Sequence, residues 1–225
     1  MKKLLYPFVF TFLFMLPLIS VGQERQDNAW KALFTDYSLT TSTTLRLETH
    51  LRTRRFFAEN DQYLVRPSVS FKLSQNTAFT AGVTYLSSNT PVDRTLENNI
   101  WQQFNFSIPI KRSRYFGWIR LEQRWQKKED TSNYGARLRF RTGFQFPLLK
   151  KEGAFFPKLV VFNEVFMTIQ DGFPYRFNQN WTFFGFQQRF SKQLQLLTGF
   201  QRNTIAKENT FLHKNIWSSI LFYKL

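Results

Sequence analysis

From Trp30 onward, apolar and polar residues alternate with period two through nearly the whole chain. Leu45, Leu47 and Leu51 alternate with Arg46, Glu48, His50 and Arg52. Phe104, Phe106 and Ile108 alternate with Gln103, Asn105 and Ser107. Leu138, Phe140, Phe144 and Phe146 alternate with Arg137, Arg139, Arg141 and Gln145. Such alternation sends successive side chains to opposite faces of a sheet. It predicts strands near 29–39, 43–54, 62–73, 76–87, 98–109, 115–127, 134–147, 157–169, 177–190, 193–204 and 212–224. Most exceed the globular norm of about five to six residues. They suit the roughly nine to eleven residues that a tilted strand needs to cross a bilayer's hydrocarbon layer.

The first residues read as an export signal. Met1-Lys2-Lys3 is basic, Leu4–Val21 is apolar, and Ser20-Val21-Gly22 offers small residues at a cleavage site before Gln23. Residues 1–22 are therefore expected to be a cleaved signal peptide and residues 23–225 one barrel domain. The chain has no cysteine, so a lipid-anchored N-terminus, disulfides and thiolate metal sites are excluded. With two histidines, a histidine-rich metal site is not expected, and no cofactor is implied.

Aromatic residues make up 19% of the chain, with 28 Phe, yet mean hydropathy is −0.36. After the signal no apolar run reaches the length of a membrane helix. The expected fold is all-β: a closed antiparallel transmembrane β-barrel of about 10–12 strands. Closure satisfies every backbone group without an edge, as lipid requires. Tight connections at Ser74–Gln75, Lys111–Arg114 and Ser191–Lys192 contrast with longer ones at Phe56–Asp61, Ser88–Glu97, Lys128–Asn133, Gln170–Arg176 and Ala206–Phe211. That contrast predicts short periplasmic turns and longer extracellular loops, with Lys150–Phe156 an exception. Trp101, Trp118 and Trp125 fall near strand ends, where interfacial aromatic girdles sit, whereas Trp217 falls mid-strand. Eleven strands are odd, whereas bacterial single-chain barrels are usually even. Segment 29–39 could lie in the lumen, leaving ten strands, or a strand could be missing from a set of twelve.

The polar face carries Arg46, Glu48, His50, Arg52, Arg66, Lys72, Arg120, Glu122, Arg124, Arg137, Arg139, Arg141, Arg189 and Glu164. One reading is an Arg/Glu network that fills and stiffens the lumen, with bidentate guanidinium–carboxylate pairs. Another is binding or passage of small anions, because arginines outnumber carboxylates on this face. A third is a lipid-modifying barrel enzyme using His50, or His213 with Ser218 and Ser219, though no nucleophile motif accompanies either histidine. A soluble periplasmic β-sandwich or lipocalin-like binder is the remaining alternative.

The formal charge of +16 does not point to nucleic acid, since export is expected and no nucleic-acid motif is present. Arg54, Arg55, Arg94, Lys127 and Lys128 could instead meet lipopolysaccharide headgroups or water. The closing Leu221-Phe222-Tyr223-Lys224-Leu225 is similar to the C-terminal signal read by the barrel-assembly machinery, with Leu in place of the usual terminal Phe. An outer-membrane protein partner is also open.

The chain resembles the bacterial "domain of unknown function 2490" proteins. The resemblance rests on Trp30–Leu39, on Leu45–Arg55 with its Leu-x-Leu-Glu, on Arg137-Leu138-Arg139-Phe140-Arg141 and on Phe162-Asn163-Glu164-Val165-Phe166. It implies an outer-membrane barrel and no established activity. Phe162 and Phe166 share the face of Glu164, which marks that carboxylate as buried or rim-facing.

Overall fold

A computed structural model of the protein describes residues 24–89, 94–149, 156–170 and 176–225. The expected signal peptide lies outside them. Eleven strands form: β1 (Glu24–Ser38), β2 (Thr43–Arg54), β3 (Glu59–Lys72), β4 (Thr77–Asn89), β5 (Arg94–Ile110), β6 (Ser113–Lys128), β7 (Thr131–Pro147), β8 (Lys158–Thr168), β9 (Phe177–Arg189), β10 (Leu194–Ala206) and β11 (Phe211–Lys224). Every predicted strand is present.

Each strand pairs with its chain neighbours, and β1 pairs with β11 to close the barrel. The closing pair is parallel, from Glu24 opposite Leu212 to Asp36 opposite Lys224, whereas the other ten pairs are antiparallel. The expected all-antiparallel barrel is thus corrected to a mixed one. Segment 29–39 belongs to the wall. An odd ring must contain one parallel contact, because its first and last strands run the same way.

The odd-numbered strands all run from an upper rim to a lower rim. Connections are four, four, two, ten and four residues long at the lower rim, and four, four, two, eight and four at the upper. The expected asymmetry between short turns and long loops is absent. Polar residues interrupt the alternation at Ser88–Glu97 and Lys128–Asn133, but β4 and β5 extend into the first and β6 and β7 into the second.

Leu45, Leu47, Phe104, Ile119, Phe140 and Phe200 are exposed on the outer wall. Trp125 and Trp217 join them, but Trp101 and Trp118 point inward and are buried, so neither belongs to an outer girdle. Their phase explains it: Trp101 alternates with Gln102 and shares a face with Gln103, and Trp118 shares one with Arg120. The lower lumen beside β8 and β9 holds an apolar cluster of Val160, Phe162 and Phe183, with Phe116 and Leu197 against it. Gly143 and Gly185 make room for these rings. A Cβ at Gly143 would lie 2.8 Å from the Phe116 ring, and one at Gly185 would lie 2.5 Å from the Phe183 ring.

Candidate functional site: a knotted lumen and a polar chamber

The interior is organised around β7. Arg137, Arg139 and Arg141 point inward from alternate positions. Glu122 of β6 and Glu164 of β8 point inward beside them. Arg137 donates from Nε (2.8 Å) and Nη2 (2.5 Å) to Glu122 Oε2. Arg139 donates from Nη1 to Glu122 Oε1 (2.6 Å) and from Nε to Glu164 Oε1 (2.7 Å). Arg141 Nε donates to Glu164 Oε2 (2.7 Å), and the Nη2 groups of Arg139 and Arg141 also bond Glu164. The result is a continuous chain, Arg137–Glu122–Arg139–Glu164–Arg141. Both carboxylates are 0% exposed. A buried charge requires a partner and hydrogen bonds to persist, and both glutamates have them in full.

Aromatic rings tie this knot to the opposite wall. Trp181 of β9 lies 5.5 Å from the Arg139 guanidinium and 5.8 Å from that of Arg52 on β2. Strands β2 and β7 are five places apart in the ring of eleven. Trp181 also meets Trp30 and Phe166 at centroid distances of 5.2 and 4.7 Å. Arg141 stacks on Phe162 at 4.0 Å, and Arg139 on Phe166 at 4.3 Å. These inward phenylalanines explain the out-of-phase look of β8: Phe162 and Phe166 are cation–π partners for the arginines that Glu164 neutralises.

Further pairs fill the upper lumen. Arg124 grips Glu97 bidentately at 2.9 and 2.7 Å. Lys214 of β11 reaches Asp61 of β3 at 3.4 Å. Arg52 bonds Gln62 at 2.8 Å and stacks on Trp30 at 4.0 Å. Arg66 donates to Glu48 at 3.0 Å and to Thr84 at 2.9 Å, while His50 Nε2 sits 3.4 Å from the same glutamate. Near the lower rim, Arg46 grips Asp36 at 2.6 and 2.7 Å.

Of the predicted lumenal set, Lys72 and Arg189 are inward in phase but exposed at the lower rim, away from the knot. The others point into the lumen, most of them in the buried Arg/Glu network. Asp36, Asp61, Glu97 and Lys214 were not anticipated. Asp61 and Glu97 fell in segments read as loops, although Glu97 is in phase with Asn99 and Trp101.

The candidate catalytic groups do not converge. His213 has the phase of outward Trp217 but is itself buried and contacts Thr204 Oγ1 at 3.1 Å, Ser218 is buried inside, and Ser219 bonds Thr198. Among the described residues no three His, Asp or Glu side chains are grouped to hold a metal ion.

Below the knot, on the β1–β6 side, a polar chamber of about 260 Å³ lies inside the wall. Asp36, Thr44, Arg46, Glu48, Ser68, Ser70, Ala78, Thr80, Trp101, Gln103, Asn105 and Arg120 line it. Its lining grades from buried at Trp101 and Arg120 to half-buried at Thr44, Ser70 and Asn105, toward the lower rim.

The family model for a protein of unknown function (domain of unknown function 2490) matches residues 27–212. The chain belongs to this family. No curated protein and no solved structure matches it. Residues 27–212 run from β1 to the first two residues of β11 and include the residues of this chain's knot and chamber.

Proposed function

We propose that this protein is an integral outer-membrane barrel with a closed, arginine-rich lumen, serving as a bracing or anion-holding element. The observation that carries membrane insertion is the outer wall. Leu, Phe, Ile, Val, Tyr and Trp side chains are about 40–60% exposed around it. Isolated exposed apolar residues are common, but a continuous apolar belt of this kind marks a lipid or protein contact. Strands of 11–17 residues are long enough to cross the hydrocarbon layer.

The complete burial of Glu122 and Glu164 supports holding over passage. A continuous water column would touch them. On this reading the barrel's surroundings are lipid and lipopolysaccharide, the last strand is read by the barrel-assembly machinery, and small anions are the candidate solutes.

Fractionation tests insertion. The protein should resist carbonate extraction and migrate faster on a gel when unboiled. Release by carbonate with no heat-dependent shift would defeat the membrane reading. In planar bilayers the purified barrel should give no sustained conductance, and stable open channels would overturn the closed lumen.

A further inference from the structure

We propose that the lower chamber is a binding site for a free phosphate or carboxylate group, with Arg120 as its anchor. The inference deepens the anion-holding reading and rests on the closed lumen, but it does not depend on membrane insertion.

The argument starts from charge. Arg46 is matched by Asp36, and Arg66 by Glu48. Arg120 has no carboxylate to itself. Its nearest, Glu122, lies 3.6 Å from Nη1 and already accepts from Arg137 and Arg139. The lining holds two guanidiniums, Arg46 and Arg120, and two carboxylates, Asp36 and Glu48, both already paired, so Arg120 is the cation without a carboxylate of its own, in a site where charges interact far more strongly than in water.

The guanidinium is also held in place. It lies between Trp101 at 4.2 Å and Trp118 at 4.8 Å, and its Nε donates to Gln103 at 2.6 Å. Arg120 is 5% exposed, and its Nη1 has no hydrogen-bond partner. The Trp101 Nε1, on a side chain 1% exposed, has none either. Both are buried donors without an acceptor, on residues that line one chamber. Leaving such donors unmatched is costly, and an oxyanion satisfies them with charge-assisted bonds. Thr80 and Ser70 add hydroxyls beside them.

Trp101 can take its position because its register partner is Gly82. A Cβ there would lie 2.6 Å from the indole ring. The chamber is walled by strands β1–β6 and its lining is more exposed toward the lower rim, which gives a soluble anion its approach, whereas a bilayer lipid must leave its leaflet to reach it. The occupant is thus a soluble anion.

The test uses the full barrel in a non-ionic detergent. Intrinsic tryptophan fluorescence is followed while inorganic phosphate is added, with sodium chloride at matched ionic strength as the control. A parallel arm uses acetate and another uses dihexanoyl phosphatidate. A saturable change with phosphate or acetate is expected. Arg120→Gln should weaken it about 10- to 100-fold. Thr44→Phe, at the chamber mouth, should also weaken it, whereas Arg52→Gln, which removes a cation outside the chamber, should leave it unchanged. Unboiled gel mobility identifies which variants are folded. No saturable change in the wild type, the same change with chloride alone, or undiminished binding in folded Arg120→Gln each overturns the site. Saturation by phosphatidate alone overturns the soluble-anion assignment. Loss of binding with carbonate resistance intact would remove this inference and leave the membrane reading standing.

Discussion

Arg120 and Arg139 are register partners across the β6–β7 ladder and share Trp118 and Glu122 as neighbours, but they differ in what they hydrogen-bond. Arg139 sits between two fully buried carboxylates and bonds both. Arg120 rests on two indoles and a glutamine, with its Nη1 unbonded, on a side chain that lines a cavity. Like charges opposite one another in a sheet repel. The pair is tolerated because Glu122 and Glu164 neutralise one side and aromatic faces support the other. The knot is saturated and rigid. The chamber is unsaturated and open to a ligand. The same residue type therefore braces the barrel in one place and awaits an anion in the other.

The largest break in this contrast should come from Glu122→Gln. It leaves Arg137 buried without its carboxylate and Arg139 with Glu164 alone, and a cost of about 3–5 kcal/mol follows from breaking a buried ion pair. Urea unfolding in detergent micelles, followed by tryptophan fluorescence, should show the midpoint collapse or the folded, fast-migrating gel form disappear. An unchanged midpoint would mean that the knot does not brace the barrel.

Removing both signs together should do much less. Glu164→Gln combined with Arg141→Met should cost less than the two single changes summed, by roughly 0.5–3 kcal/mol of coupling. Strict additivity would show that the two side chains do not act as a pair.

Gly82→Ala comes next. The added methyl meets the Trp101 ring and the Pro67 carbonyl, each at 2.6 Å, so overpacking of about 1–3 kcal/mol is expected, with a shifted tryptophan emission. An unshifted spectrum would mean that Gly82 does not set the indole's position.

The smallest effect belongs to Arg120→Gln. It removes an unmatched buried cation and its repulsion by Arg139, at the expense of two ring contacts. Its stability should stay within about 1 kcal/mol of wild type. A loss as large as that of Glu122→Gln would place Arg120 in the knot and erase the distinction between the two regions.

The strands and most of the knot were legible in the sequence because alternation assigns a face to each residue. Arg137, Arg139 and Arg141 had to share a face, and Glu164 stood out by having phenylalanines beside it. Alternation is silent about pairing direction, so the parallel contact of β1 with β11 could not be read from it. Polar strand ends hid Asp61 and Glu97, whose carboxylates answer part of the apparent arginine excess. Trp101 and Trp118 were misplaced because nearness to a strand end was weighed above phase. The chamber depends on side chains from six strands and on the absence of a Cβ at Gly82, a coincidence in space that no local pattern encodes.

The parallel seam carries a consequence for engineering this barrel. In an even-stranded barrel the first and last strands are neighbours running in opposite senses, so a short hairpin could join them and new ends could be cut elsewhere. Here Glu24 begins at the upper rim and Lys224 finishes at the lower one. A circular permutant would need a connector running the full height of the wall, about 40 Å at roughly 3.3 Å per residue over the thirteen paired positions of the seam. Such a strap would have to cross either the apolar outer face or the side-chain-filled lumen. The order in which these eleven strands follow one another is therefore fixed by geometry, and only a rearrangement that changes their number could free it.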